Sequence, residues 1–94
     1  MIQFDSENAE DLEFETHQRS GEVSVEICKC VVEGLEADVD SVVIGFISKL
    51  NMELLVKREG YLEALEKNLQ RCEEEEEYEL CAKVKIWIDR LKQN

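Results

Sequence analysis

Two stretches near the C-terminus carry the clearest hydrophobic periodicity of the chain. Apolar residues recur there at steps of three and four: Tyr61, Leu62, Leu65, Leu69, Cys72, and then Leu80, Val84, Trp87, Ile88 and Leu91. Such steps place side chains on one face of an α-helix. A run of five glutamates, residues 73–77, separates the stretches. The pattern therefore predicts helices over residues 61–74 and 78–92 that fold back on each other as an antiparallel hairpin.

Residues 22–34 satisfy two patterns at once. β-branched residues alternate with polar ones up to Ile27, which favours a strand. Polar residues also recur every three or four positions from Glu22 to Asp40, which favours a helix. The helical pattern is the longer one, so it predicts a helix over residues 22–34. Gly34 is a candidate for the left-handed residue that ends it.

A further amphipathic run occupies residues 38–58. Its apolar residues lie on one helical stripe: Val39, Val42, Val43, Phe46, Ile47, Leu50 and Leu54. This predicts a helix over residues 39–58, although Gly45 inside it costs about 1 kcal/mol relative to alanine. The expected fold is all-α, a bundle of three or four helices within a single helical domain over residues 21–94.

Residues 1–20 form an acidic N-terminal segment ahead of that domain. Two interpretations stay open for it. It is a mobile tail, as chain termini commonly are. Alternatively, it is a docking segment whose apolar side chains Phe4, Leu12 and Phe14 enter a groove on a protein partner and become ordered on binding.

The formal charge of −12 narrows the range of partners. Residues 1–40 hold 12 acidic and 2 basic residues, a net −10, and residues 41–94 hold 11 and 9, a net −2. Clustered lysine and arginine are needed to bind phosphate backbones, so direct nucleic-acid binding is not expected. Anionic membrane surfaces repel such a chain. Basic protein partners and simple solubility both explain the acidity.

The ends and cysteines of the chain bear on its compartment. No stretch reaches the roughly 20 apolar residues of a membrane span, and the acidic start lacks a secretory pattern. A cytoplasmic location is therefore expected, with the four cysteines reduced.

The C-terminal hairpin resembles a known motif. Residues 77–91, EYELCAKVKIWIDRL, are similar to the second half of the UVR motif, a helical hairpin found at the C-terminus of UvrB and in UvrC, McsA and ClpC. Glu77, Tyr78 and Glu79 match its acidic–aromatic–acidic opening, and Ala82 matches its second alanine. The chain departs from the motif at Lys85-Ile86, where an Arg-Asp pair is usual. The resemblance covers residues 62–92 and implies a protein–protein contact surface, because such hairpins pair with one another across chains.

No residue pattern points to catalysis or to a cofactor. Cys28 and Cys30 would point roughly 200° apart on a helix, and their spacing to each other and to Cys72 and Cys81 does not fit a zinc site. His17 is the only histidine, and it has no evident catalytic partner. We therefore expect no enzyme activity and no metal.

The sequence as a whole favours a small non-enzymatic adaptor or regulator. The predicted contact residues on the hairpin are Tyr78, Ile86, Trp87 and Leu91, with a homodimer as one outcome. Burial of an apolar stripe against a partner helix would supply the affinity. The acidic turn would favour partners whose contact surface has a basic rim. The alternative is an acidic nucleic-acid mimic of the phage or mobile-element type that occupies the site of a basic host protein through the carboxylates of residues 5–15.

Overall fold

The computed structural model describes residues 1–93 and combines helices with a three-stranded sheet. The elements follow in the order β1 (Ile2–Phe4), α1 (Ala9–Gln18), α2 (Ser20–Glu36), β2 (Ser41–Ile47), β3 (Met52–Lys57), α3 (Tyr61–Glu74) and α4 (Tyr78–Lys92). The fold is therefore α+β, and the all-α prediction is wrong. Within the described residues, none of the helices has both the length and the apolar run that a membrane span requires.

The sheet brings the N-terminal strand β1 next to the β2–β3 hairpin. Its strand order is β1-β2-β3, with β1 parallel to β2 and β2 antiparallel to β3. Ile2 pairs with Gly45 and Phe4 with Ile47, while α1 and α2 form the crossover between β1 and β2. The N-terminal segment is thus part of the folded domain, since its strand is the first strand of the sheet.

Residues 39–58 contain the β2–β3 hairpin, so the prediction of a helix over these residues is wrong. Three β-branched residues in succession, residues 42–44, favour an extended backbone. Gly45 sits against the Phe4 ring, where an added Cβ would lie 2.6 Å from Cε2 of Phe4. Asn51 adopts the left-handed conformation, with φ 51°, at the turn into β3. Asparagine tolerates this conformation better than most residues, so the chain reverses there.

The three other helix predictions are confirmed. The helices α3 and α4 have the predicted bounds of 61–74 and 78–92, with the glutamate run at the turn between them. The helix α2 covers residues 20–36, slightly more than the predicted 22–34. Gly34 lies inside α2 and does not end it. The absence of a side chain there makes room for Val42, since an added Cβ would lie 2.4 Å from Cγ1 of Val42. The left-handed residue that follows the helix is Asp38, with φ 56°.

All four helices lie on one face of the sheet. The main core is formed by α2, α3 and α4, and it contains Cys28, Val31, Val32, Tyr61, Leu65, Cys72, Cys81, Val84 and Ile88. A smaller core contains Ile2, Phe4 and Ile47, with Leu12 of α1 and Leu54 of β3 packed against it. Val42 and Val56 contact the main core from the sheet. The alternate residues of β2 and β3 belong to neither core, so the second face of the sheet has no helix on it.

Candidate protein interaction surfaces

The outer face of α4 presents two exposed apolar side chains in one stripe. Cys81, Val84 and Ile88 face the core. Tyr78, Ala82 and Ile86 follow one another at intervals of four residues on the side turned away from it. Tyr78 is 68% exposed and Ile86 is 51% exposed. We call these three residues the α4 stripe.

Trp87 and Leu91, also predicted as contact residues, lie on a different side of α4. Both are half-buried and pack against the main core. At 100° per residue, Trp87 is roughly 180° around the helix from Tyr78. The guanidinium of Arg90 lies 4.9 Å from the centre of the Trp87 ring. The four predicted residues therefore do not form one patch, and only Tyr78 and Ile86 are largely exposed.

Charges around the α4 stripe differ between its two ends. The glutamates of the turn and Glu79 lie at the Tyr78 end, which is the N-terminus of α4. Towards the Ile86 end, basic side chains outnumber the one acidic side chain, Asp89. Lys83 and Lys85 are among them, and Lys85 pairs with Glu73 at 3.6 Å. This order complements the helix dipole. It also gives the stripe an acidic end and a basic end.

The three apolar residues of the N-terminal segment that were predicted to dock have different surroundings in the structure. Phe4 is 2% exposed and belongs to the smaller core, with the guanidinium of Arg19 5.3 Å from its ring centre. Leu12 is half-buried against the same core. Phe14 is 65% exposed on α1. Of the three, Phe14 alone is placed to contact a partner without unfolding the segment.

The acidic side chains of the N-terminal segment are held on a formed helix. Glu10, Asp11 and Glu13 are exposed along α1, whose N-cap Asn8 accepts a hydrogen bond from the Asp11 amide at 2.8 Å. Glu15 has a structural role instead. It accepts a hydrogen bond from the Ser6 hydroxyl at 2.6 Å and pairs with Arg19 at 2.9 Å.

These contacts also change the titration of Glu15. The hydrogen bond from the Ser6 hydroxyl, followed by that from Arg19, holds the pKa of Glu15 below its usual value. The amide of Asp5 donates to the same carboxylate at 3.1 Å. Glu15 therefore links the loop after β1 to α1 through its ionised form.

The helix-free face of the sheet is a surface that the sequence interpretation missed. Val43 pairs with Leu55 across β2 and β3, and Phe46 pairs with Glu53. Paired residues share a face of a sheet, so these side chains lie together on the side away from the helices. Leu55 is 52% exposed. The run of β-branched residues in β2 could have indicated this strand. It was missed because the same residues also fit a helical stripe.

Three of the four cysteines meet in the main core. Cys28, Cys72 and Cys81 are all buried there as free thiols. Burial raises the pKa of Cys28 to about 11 and that of Cys72 to about 12. Since the thiolate is the reactive form, these groups act as packing side chains. Cys30 is half-buried outside this cluster, and burial raises its pKa as well.

The described part of the chain, residues 1–93, contains no metal-ligand cluster. No group of three or more histidine, cysteine, aspartate or glutamate side chains there is arranged to hold a metal ion. His17 is exposed at the end of α1.

A groove of about 530 Å³ between β1 and α2 is lined by side chains of both charges, including Arg19, Glu22 and Lys29.

Comparison of the chain with protein-family models, with curated proteins and with solved structures found no match. The resemblance of residues 62–92 to the UVR hairpin stays a prediction, carried by the residues that match it.

Proposed function

We propose that the chain is a non-enzymatic protein-binding module that contacts its partner through the α4 stripe. The exposure of Tyr78 and Ile86 on a helix whose opposite face is packed in the core carries this proposal. An apolar helical stripe is the element that helix-in-groove recognition uses. We expect the chain to bind its partner in the cytoplasm, where its cysteine thiols stay reduced.

The partner surface follows from the side chains of the stripe. Complete burial of an isoleucine is worth about 1.5–3 kcal/mol, and Ile86 has about half of its surface still to bury. Tyr78 adds an aromatic ring whose hydroxyl can reach the rim of the contact. Ala82 between them is small and allows a close approach. The partner is an apolar groove with a basic rim at the Tyr78 end and an acidic rim at the Ile86 end, so that it complements α4.

A capture experiment with matched variants tests the proposal. Ile86→Lys and Val39→Lys each replace an exposed apolar side chain, 51% and 40% exposed, by lysine. Proteins captured from source-cell lysate are washed with rising salt and then with excess DNA. A partner that resists both washes should be lost with Ile86→Lys, with a fall in affinity of roughly 30-fold or more, and kept with Val39→Lys. Equal capture by the two variants would reject the α4 stripe.

The acidic mimic is the second candidate, and one observation favours it. A mimic needs carboxylates held in fixed positions, and α1 holds Glu10, Asp11 and Glu13 on one exposed helix. Glu15 is not part of this set because it bonds within the chain. In the same experiment, release by salt or displacement by DNA would favour mimicry. Charge reversal at Glu10 and Glu13 should then abolish capture, and normal capture by that variant would reject it.

A further inference from the structure

The strand β3 is an edge of the sheet with one side unpaired. The strand order places β2 on one side of β3 and no strand on the other. Open edges present backbone donors and acceptors to other chains, and proteins commonly block them with proline or bulges. β3 contains no proline, and the bulge of this sheet lies in β2, between Val43 and Gly45. Neither proline nor a bulge therefore blocks this edge, and its charged side chains are those of Glu53 and Lys57.

The two charged residues of β3 have no ionic partner among the residues that the structure describes. Glu53 and Lys57 are both exposed, and neither takes part in an ion pair anywhere in residues 1–93. They lie on the same side of an extended strand, four residues and about 13 Å apart, too far to pair with each other. Each therefore presents an unpaired charge at the open edge.

We infer that β3 pairs with β3 of a second copy of this chain, antiparallel and about a two-fold axis at Leu55. In this register each Glu53 lies opposite Lys57 of the second copy, so both charges find an opposite one. Leu54 lies opposite Val56, and Leu55 lies opposite the same residue of the second copy. The three central residues of β3 thus meet apolar residues, while Met52 lies opposite Arg58 just beyond the strand, so the strand is complementary to itself over residues 53–57.

The neighbouring register lacks this complementarity. A two-fold axis at Leu54 would place each Glu53 opposite Leu55 and would leave Lys57 without a partner. The axis at Leu55 also keeps the helices of both copies on one face of a continuous sheet. On the other face, the cross-strand pair Val43–Leu55 of one copy then continues into the same pair of the second copy. The exposed Leu55 side chains become covered.

The dimer should be weak. Pairing of two six-residue strands buries less than the roughly 1,200 Å² of a stable interface, so association should depend strongly on concentration. This site is separate from the α4 stripe, and the inference does not rest on the proposed function.

Charge exchange across the edge tests both the partner and the register. Sedimentation velocity over a wide range of concentrations should show a monomer–dimer equilibrium for the natural chain. Glu53→Lys and Lys57→Glu should each weaken self-association about tenfold or more, because both cross-strand pairs become repulsive. A mixture of the two variants should restore it, since every pair is again of opposite charge. Glu36→Lys, at the exposed end of α2, is the control for the change in net charge.

Each other outcome rejects a defined part of the inference. A natural chain that stays monomeric at the highest concentration overturns it. Dimers that persist in both charge variants show that another surface is used, and their loss in Ile86→Lys would identify the α4 stripe. Variants that are monomeric alone and also in the mixture reject the register at Leu55. Circular dichroism confirms that each variant is folded.

Discussion

The burial of Phe4 makes the stability of the domain depend on its first strand. Replacement of this residue by alanine removes a side chain that is 2% exposed and packs with Ile2 and Ile47 in the smaller core. Phenylalanine-to-alanine changes in cores cost about 3–5 kcal/mol. Loss of the Arg19 contact over the ring adds about 0.5–1 kcal/mol. Against a total of about 5–15 kcal/mol for a small domain, the variant should be strongly destabilised.

Phe14→Ala is the matched control for this prediction. It makes the same chemical change ten residues later, at a side chain that is 65% exposed on α1. Its free energy of unfolding should stay within about 0.5 kcal/mol of the natural value. Unfolding in urea, followed by far-ultraviolet circular dichroism, compares the two variants. With a slope of about 1–1.5 kcal/mol per molar urea, Phe4→Ala should lower the midpoint by about 2–6 M.

A small effect of Phe4→Ala would refute the reasoning. If its midpoint equals that of Phe14→Ala, then β1 contributes nothing to stability and residues 1–20 behave as a tail. The comparison therefore separates a folded N-terminal strand from a mobile segment, which composition alone left open.

Three further predictions concern other contacts of the structure. Gly45→Ala should cost about 1–3 kcal/mol by urea unfolding, because its Cβ would lie 2.6 Å from the Phe4 ring; an equal loss in a Phe4→Leu background would contradict this clash. The hydroxyl and guanidinium bound to Glu15 depress its folded pKa, so its stabilisation is complete above its ordinary value of 4.5 and is lost as the pH falls through the folded value. The stability advantage of the natural chain over Glu15→Gln should therefore shrink on acidification, and a constant difference would argue against it. Thiol labelling of the native protein should modify Cys30 first and the buried cysteines only on unfolding, and a fast phase that survives Cys30→Ser would disprove this order.

The helical hairpin could be predicted from the sequence because its pattern is local. The apolar positions of α3 and α4 recur at helical steps, and the acidic turn separates them, so both bounds are correct. The candidate contact residues were less predictable. The helix α4 packs against α2 as well as α3, which covers the side that carries Trp87 and Leu91. Helical periodicity alone gives no sign of that second neighbour.

The sheet could not be predicted from the same kind of pattern. The bulge between Val43 and Gly45 adds a residue to β2, so the alternation of inward and outward positions is interrupted and imitates a helical stripe. The strand that pairs with β2 on its other side lies at residues 2–4, far away in the sequence. Phe4 fills the space next to Gly45. The residues next to Gly45 in the sequence do not indicate this long-range contact.

The parallel pairing of β1 with β2 also sets an order of events during synthesis of the chain. The strand at residues 2–4 has no partner until residues 45–47 have been made, about forty residues later. Ile2 and Phe4 stay exposed to water during this interval. The pairing of β1 closes a long loop, whereas α3 and α4 contact each other within a short stretch. The strand β1, although made before β2 and β3, is therefore expected to be among the last elements of this domain to become ordered.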